Sequence, residues 1–182
     1  SRGGGSRRGG RCSPRNGRAR VGAAAPRPAG RRTGVIGRRF PIEKVEAGLK
    51  ETKGKLESSS EASNKTARAI LTTDTCVKGV SDTFKIGGKT IHMSAFGKGS
   101  GMIHPNMGTM LAYVLCDIDI SQPLLKKALS LAVNASYNMI SVDGDTSTND
   151  SILIMCNALT GNKIISEENE HFQIFTDNLT KL

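Results

Sequence analysis

The residues with reactive potential are concentrated in Gly97-Lys98-Gly99-Ser100-Gly101-Met102-Ile103-His104-Pro105-Asn106-Met107-Gly108-Thr109-Met110-Leu111. Its glycines and Pro105 permit backbone angles that other residues avoid. The stretch leads straight into an apolar run of strand length, Thr109–Leu115. Gly108 has no Cβ, so its peptide can be held distorted and approached closely. A threonine hydroxyl directly after it can attack the Gly108 carbonyl and form an ester, which water then hydrolyses. Cleavage leaves Thr109 as a new N-terminus. Its α-amine, with an ordinary pKa of about 7.7–8.0, suits a general base for its own hydroxyl at neutral pH. The same residues would also serve as an elaborate loop with no reaction at all.

Other patterns lack what their chemistry requires. Gly88-Lys89-Thr90 ends like a phosphate loop, but Thr83 stands where the first glycine is needed. Asp143-Gly144-Asp145-Thr146-Ser147 opens like a calcium loop, yet Thr148 replaces the turn glycine and Ile154 the closing glutamate. His92, His104 and His171 share no ligand spacing and read as surface or loop residues. No metal is expected. Cys12, Cys76, Cys116 and Cys156 lie 40 to 64 residues apart, which forms no zinc ribbon or thioredoxin-type motif and fits a reducing compartment. Asp117 and Asp119 read as a solvated strand end.

The elements that must position the reactive stretch follow from periodicity. Pro41, Ile42, Val45 and Leu49 predict an amphipathic helix with proline in its first turn. Ala62–Leu71 predicts a second helix, ended by Thr72-Thr73-Asp74-Thr75. Thr83–Ile86 and Lys89–Met93 predict two strands joined through Gly87-Gly88, the two-residue turn of tight hairpins. Ser121 is placed to cap a helix running to about Asn138, with Leu125, Leu129, Ala132 and Val133 as its buried face. Ile152–Cys156 predicts a buried strand, and Phe172, Phe175, Leu179 and Leu182 one stripe of a final helix. The sum is a mixed α+β layered fold.

The formal charge of +10 is unevenly placed. Ser1–Arg39 carries 12 arginines and no acid, and the rest of the chain has a net charge of −2. This excludes a uniformly basic nucleic-acid-binding domain. Residues 1–32 hold too little apolar surface to offset chain ordering and are expected to be disordered. Three readings of that segment stand open: an RNA-contacting Arg/Gly tail, a targeting peptide, or an artefact of a wrong frame or chimeric join. The lack of aromatics before Phe40 weighs against the first, and the abrupt change of composition favours the artefact. No apolar run approaches the ~18 residues of a membrane span, and no secretory signal is visible.

Four segments occur in one order: Thr33-Gly34-Val35-Ile36-Gly37, Ile70–Thr75, Lys98–Leu111, and Ser141-Val142-Asp143-Gly144-Asp145-Thr146-Ser147-Thr148-Asn149-Asp150. On these, Thr33–Leu182 resembles the ornithine acetyltransferase / glutamate N-acetyltransferase (ArgJ) family of arginine biosynthesis, over about 150 of the 182 residues. The resemblance implies an ArgJ/DmpA-like fold, with the layered sheets and helices of N-terminal-nucleophile hydrolases. It implies self-cleavage between Gly108 and Thr109, so that residues 33–108 end an α chain and 109–182 begin a β chain.

Thr109 would then be the nucleophile of a ping-pong transfer, taking acetyl from N-acetylornithine and passing it to glutamate. Thr33 and Gly34 map to the oxyanion hole. Lys98 and Thr72 map to substrate contacts, with Thr73 close in register to Thr72. The resemblance implies no cofactor, acetyl-CoA as a further possible co-substrate, an α₂β₂ assembly, no membrane or nucleic-acid partner, and a cytoplasmic location. An organellar location follows instead if the basic N-terminus is a targeting peptide.

The Asp143–Asp150 segment reads as side chains bonding nearby backbone in a tight loop. The chain resembles the middle of family members. The later β-chain residues that complete the substrate site, among them a Glu and C-terminal Asn and Thr groups, have no counterpart here. A fragment with uncovered apolar surface, poor solubility and doubtful activity of its own is therefore expected. Two other functions remain open: a related self-processing hydrolase in which water takes the acyl group, and nucleic-acid binding through the Arg/Gly tail.

Overall fold

The computed structural model describes residues 39–101, 110–144 and 150–182. Thr33, Gly34, Gly108, Thr109 and the Arg-rich segment 1–32 lie outside the described residues. Two helices come first, α1 (Ile42–Lys53) and α2 (Ser60–Ala69), then the strands β1 (Lys78–Ile86) and β2 (Lys89–Lys98). β3 (Leu111–Cys116), α3 (Gln122–Asn134), β4 (Ser151–Cys156) and α4 (Glu170–Lys181) follow, with a 3₁₀ turn at Tyr137–Met139 after α3. The strands form one sheet in the order β1-β2-β3-β4. β2 is antiparallel to both its neighbours, and β4 is parallel to β3. A parallel neighbour needs a crossover, which α3 provides. The described residues thus form the mixed α/β architecture that the periodicity predicts.

The β1–β2 hairpin turns where the sequence places it. Gly87 and Gly88 have φ of +55° and +78°, the successive positive values that a type I′ turn requires. Both strands run longer than their apolar alternation suggests. The added part of β1, including Lys78, Gly79 and Ser81, is exposed on an edge strand, so no burial marks it in the sequence.

One face of the sheet carries the core. Ile91 and Met93 of β2 and Val114 and Cys116 of β3 join Leu124, Ala128 and Ala132 of α3 with Phe172, Phe175 and Leu179 of α4. The α3 face differs from the expected one. Leu124, Ala128 and Ala132 are buried, whereas Leu125, Leu129 and Val133 are half-buried. Alanines in the buried line leave room for the two phenylalanine rings in the same cluster. α3 also ends earlier than expected, at Asn134. Ser121 takes the N-cap place, but its side chain makes no capping bond. Capping is done elsewhere: Ser59 Oγ accepts from Ala62 N at 3.0 Å, and Asn169 Oδ1 from Phe172 N at 3.1 Å.

The opposite face is largely uncovered by described residues. Phe96 and Tyr113, paired across β2 and β3, stack there with centroids 5.2 Å apart. Leu115 and Met155 beside them are 41% and 49% exposed. α1 buries none of its residues, and its stripe of Ile42, Val45 and Leu49 faces solvent. This agrees with the uncovered apolar surface expected from the sequence. No helix among the described residues is long and apolar enough to cross a membrane.

Phe175 is fully buried at the centre of the cluster. Phe175→Ala is expected to lower unfolding free energy by about 3–5 kcal/mol in urea titrations. A loss below about 1 kcal/mol would show that α4 does not hold the core.

Candidate active site

The site begins where the loop after α2 meets the end of β2. Three consecutive residues of that loop touch three consecutive residues of the strand end. The Lys98 ammonium donates to Thr72 Oγ1 at 3.2 Å. The Thr73 and Ser100 hydroxyls are 2.6 Å apart. The Gly99 N–H donates to Asp74 Oδ1 at 2.9 Å. Asp74 Oδ1 also receives Lys78 Nζ, four residues on at the start of β1.

The Asp74 side chain is 1% exposed, against 48% for Lys78. Burial by itself pushes the Asp74 carboxyl up. The bonds from Lys78 and from the Gly99 backbone outweigh it and hold the group below the usual carboxylate range. Asp74 thus fastens the loop to the strand, and the loop sets Thr72 beside Lys98. The Lys98 ammonium is a compact positive charge of the kind that pairs with a carboxylate.

The second half of the site is set by strand register. Lys98 stands opposite Leu111 across β2–β3, and Leu111 opposite Ser151 across β3–β4. The end of β2 and the starts of β3 and β4 therefore lie side by side. Met110, just before β3, is held twice by β4. Its N–H donates to Asp150 Oδ1 at 2.6 Å, and its carbonyl accepts from Ser151 N at 2.9 Å. Burial raises the Asp150 carboxyl, and the Met110 bond offsets this only in part. A cleft of about 400 Å³ has Lys98, Ser100, Met110, Phe96, Tyr137 and Val142 among its lining residues. On the far side of the loop, a Cβ added at Gly101 would sit 3.5 Å from Asp143 Oδ2.

Of the residues singled out in the sequence, Thr72 and Lys98 are brought into contact. Thr73, the neighbour in register, bonds Ser100. Thr33, Gly34, Gly108 and Thr109, to which the resemblance assigns catalysis and cleavage, lie outside the described residues. Thr109 is the covalent neighbour of Met110. Sequence reading gave no role to Asp74, and Asp150 was expected to bond nearby backbone. Instead Asp150 reaches Met110, 40 residues away. The reading of Asp117 as solvated also changes. It is 21% exposed and takes the His92 ring at 2.7 Å and the His92 N–H at 2.9 Å. That pair ties β2 to the end of β3 away from Lys98.

The ArgJ family model matches residues 17–182, including part of the Arg-rich segment. The chain belongs to the ArgJ family. It is 49% identical over 143 residues to the arginine biosynthesis bifunctional protein ArgJ of Caldanaerobacter subterraneus subsp. tengcongensis, covering 79% of this chain and 35% of that protein. The protein of the same description from Thermotoga neapolitana is 49% identical over 140 residues, 77% of this chain and 34% of its own. The arginine biosynthesis bifunctional protein ArgJ 1 of Clostridium acetobutylicum is 48% identical over 143 residues, 79% of this chain and 35% of its own. The chain thus spans about a third of the length of these curated relatives.

The clasp yields a pH-dependent expectation. Asp74→Ala leaves the Gly99 N–H and Lys78 without their acceptor and should cost about 1–3 kcal/mol at neutral pH. The folded carboxyl is depressed relative to the unfolded one. Its contribution is therefore full above the unfolded value and lost as pH falls through the folded value. Urea titrations of wild type and variant should converge in that acid window. A gap independent of pH would contradict an ionised Asp74.

Proposed function

We propose that this chain carries the self-cleavage junction and nucleophile of an acetyltransferase that moves acetyl from N-acetylornithine to glutamate. The observation that carries the reading is the contact of Lys98 with Thr72, beside the strand that follows Thr109. Family membership and the description of the relatives as arginine biosynthesis proteins support it. In the precursor, Thr109 Oγ attacks the Gly108 carbonyl, and the acyl group passes from nitrogen to oxygen. Water then releases the upstream chain, leaving Gly108 as a carboxylate and Thr109 with a free α-amine.

In the mature enzyme that amine takes the Thr109 hydroxyl proton as Oγ attacks the acetyl carbonyl. Thr33 and Gly34 supply donors to the developing oxyanion, where such groups contribute about 2.7–4 kcal/mol each. Ornithine leaves with the proton. The α-amine of glutamate attacks the acetyl-Thr109 ester, releasing N-acetylglutamate and restoring the hydroxyl. Lys98 pairs with the substrate carboxylate and Thr72 directs the ammonium. Acetyl-CoA fits as a second donor, in keeping with relatives described as bifunctional. The layered fold of N-terminal-nucleophile hydrolases, cleavage into chains ending at 108 and beginning at 109, an α₂β₂ assembly and a cytoplasmic location complete the proposal.

Two measurements in the full-length protein test it. Lys98→Ala should retain self-cleavage and raise KM for N-acetylornithine about tenfold to a hundredfold, the equivalent of about 1.5–3 kcal/mol for a charged hydrogen bond. An unchanged KM would remove Lys98 from the substrate site. Incubation of the mature enzyme with N-acetylornithine should give little acetate without glutamate and N-acetylglutamate with it. Acetate release at the same rate in both would identify a hydrolase.

A further inference from the structure

We infer that Asp150 is a positioning residue for Thr109, acting through the peptide that joins Thr109 to Met110. This rests on the reading of Thr109 as nucleophile and adds a residue to it. Asp150 Oδ1 accepts the Met110 N–H at 2.6 Å, and the next residue, Ser151, donates its N–H to the Met110 carbonyl at 2.9 Å. Both polar groups of the Met110 backbone are therefore tied to the start of β4. The Met110 N–H belongs to a planar unit that also contains the Thr109 Cα and carbonyl. Fixing the N–H direction fixes that plane, and with it the point from which the Thr109 side chain and nitrogen project.

Three features separate this contact from ordinary strand pairing. The acceptor is a side-chain carboxylate standing where a parallel ladder would use a main-chain carbonyl. A bond to an ionised acceptor is roughly twice as strong as a neutral one. The placement also has a cost: its second oxygen, Oδ2, is buried with no hydrogen-bond partner among the described residues. An unpaired buried oxygen is expensive, and the bond to Met110 is what the placement secures.

The reaction explains the demand for such a tether. In self-cleavage the Oγ–C bond to the Gly108 carbonyl forms as the C–N bond to Thr109 breaks, and the hydroxyl proton moves to the Thr109 nitrogen. Nucleophile, nitrogen and proton all belong to Thr109, so one misdirected plane displaces them together. Misplacement by about 1 Å can cost on the order of a hundredfold in rate. After cleavage the same tether holds the new N-terminus, which would otherwise be a free chain end.

The test is the self-cleavage rate of the full-length precursor, followed by gel and intact mass, with thermal unfolding measured in parallel. Asp150→Ala is expected to cleave about a hundredfold more slowly. Asp150→Asn keeps an acceptor oxygen and loses only the charge assistance, so it should stay within about tenfold of wild type. In the matured fraction, Asp150→Ala should lower kcat for acetyl transfer and leave KM for N-acetylornithine unchanged. A folded Asp150→Ala that cleaves at the wild-type rate overturns the inference. So does an Asp150→Asn that falls as far as the alanine variant, or that unfolds. Thr109→Ala, run alongside, tests the underlying reading by itself: it should not cleave, and persistent cleavage would remove Thr109 as nucleophile whatever the Asp150 variants do.

Discussion

β3 is hydrogen-bonded along both edges, antiparallel to β2 and parallel to β4. That double register decides what lies beside the chain as it enters the strand. Lys98 and Ser151 are brought to flank Leu111, and Met110 is brought within reach of Asp150. A slip of one residue in a sheet exchanges its two faces. Here it would turn Val114 and Cys116 out of the core and carry Lys98 off the side of the sheet it shares with Leu111. The core helices α3 and α4 cover only one face, so the register is enforced by burial on that side. The placement of Lys98 beside Leu111 is therefore a consequence of the packing of the far end.

Two carboxylates, Asp74 and the half-buried Asp150, finish the arrangement, and they differ in their partners. Asp74 shares its Oδ1 between a lysine and a backbone N–H, and its ionised form is favoured. Asp150 receives one backbone N–H, and burial outweighs that bond, so its carboxyl is raised from its ordinary value. The first is a fastening, part of how the loop after α2 is held. The second bonds the N–H of Met110, in the peptide that follows Thr109, where the proposal places the reaction. Among the described residues, each has one buried oxygen without a hydrogen-bond partner.

Local structure was legible in the sequence where a pattern is local. The Gly87-Gly88 turn and the Phe172, Phe175, Leu179 stripe needed only the strand and helix periods. On α3 the sequence reading places Ala132 correctly but misses Leu124 and Ala128, because alanine carries a weak hydrophobic signal beside Leu125 and Leu129. The full length of β1 was hidden because an exposed edge strand alternates nothing. Thr72 and Lys98 were named through family resemblance, and no spacing rule joins residues 26 apart. Asp74 and Asp150 lie within the segments that carry the resemblance, but their long-range bonds are not legible there. A side-chain bond to a backbone N–H 25 or 40 residues away leaves no period in a sequence. The four segments that carry the resemblance are, where described, the segments that meet: 72–74 with 98–100, and 110 with 150.

The proposed function places the acyl group on Thr109, just before the start of β3. Its most direct test is peptide mapping by mass spectrometry of the full-length protein, quenched in acid after brief exposure to N-acetylornithine without an acceptor. The account predicts one acetylated peptide that begins at Thr109 and carries the group as an ester on that residue, removed on adding glutamate. An acetyl group on another residue, or an intact chain through Gly108-Thr109 in active protein, would contradict it.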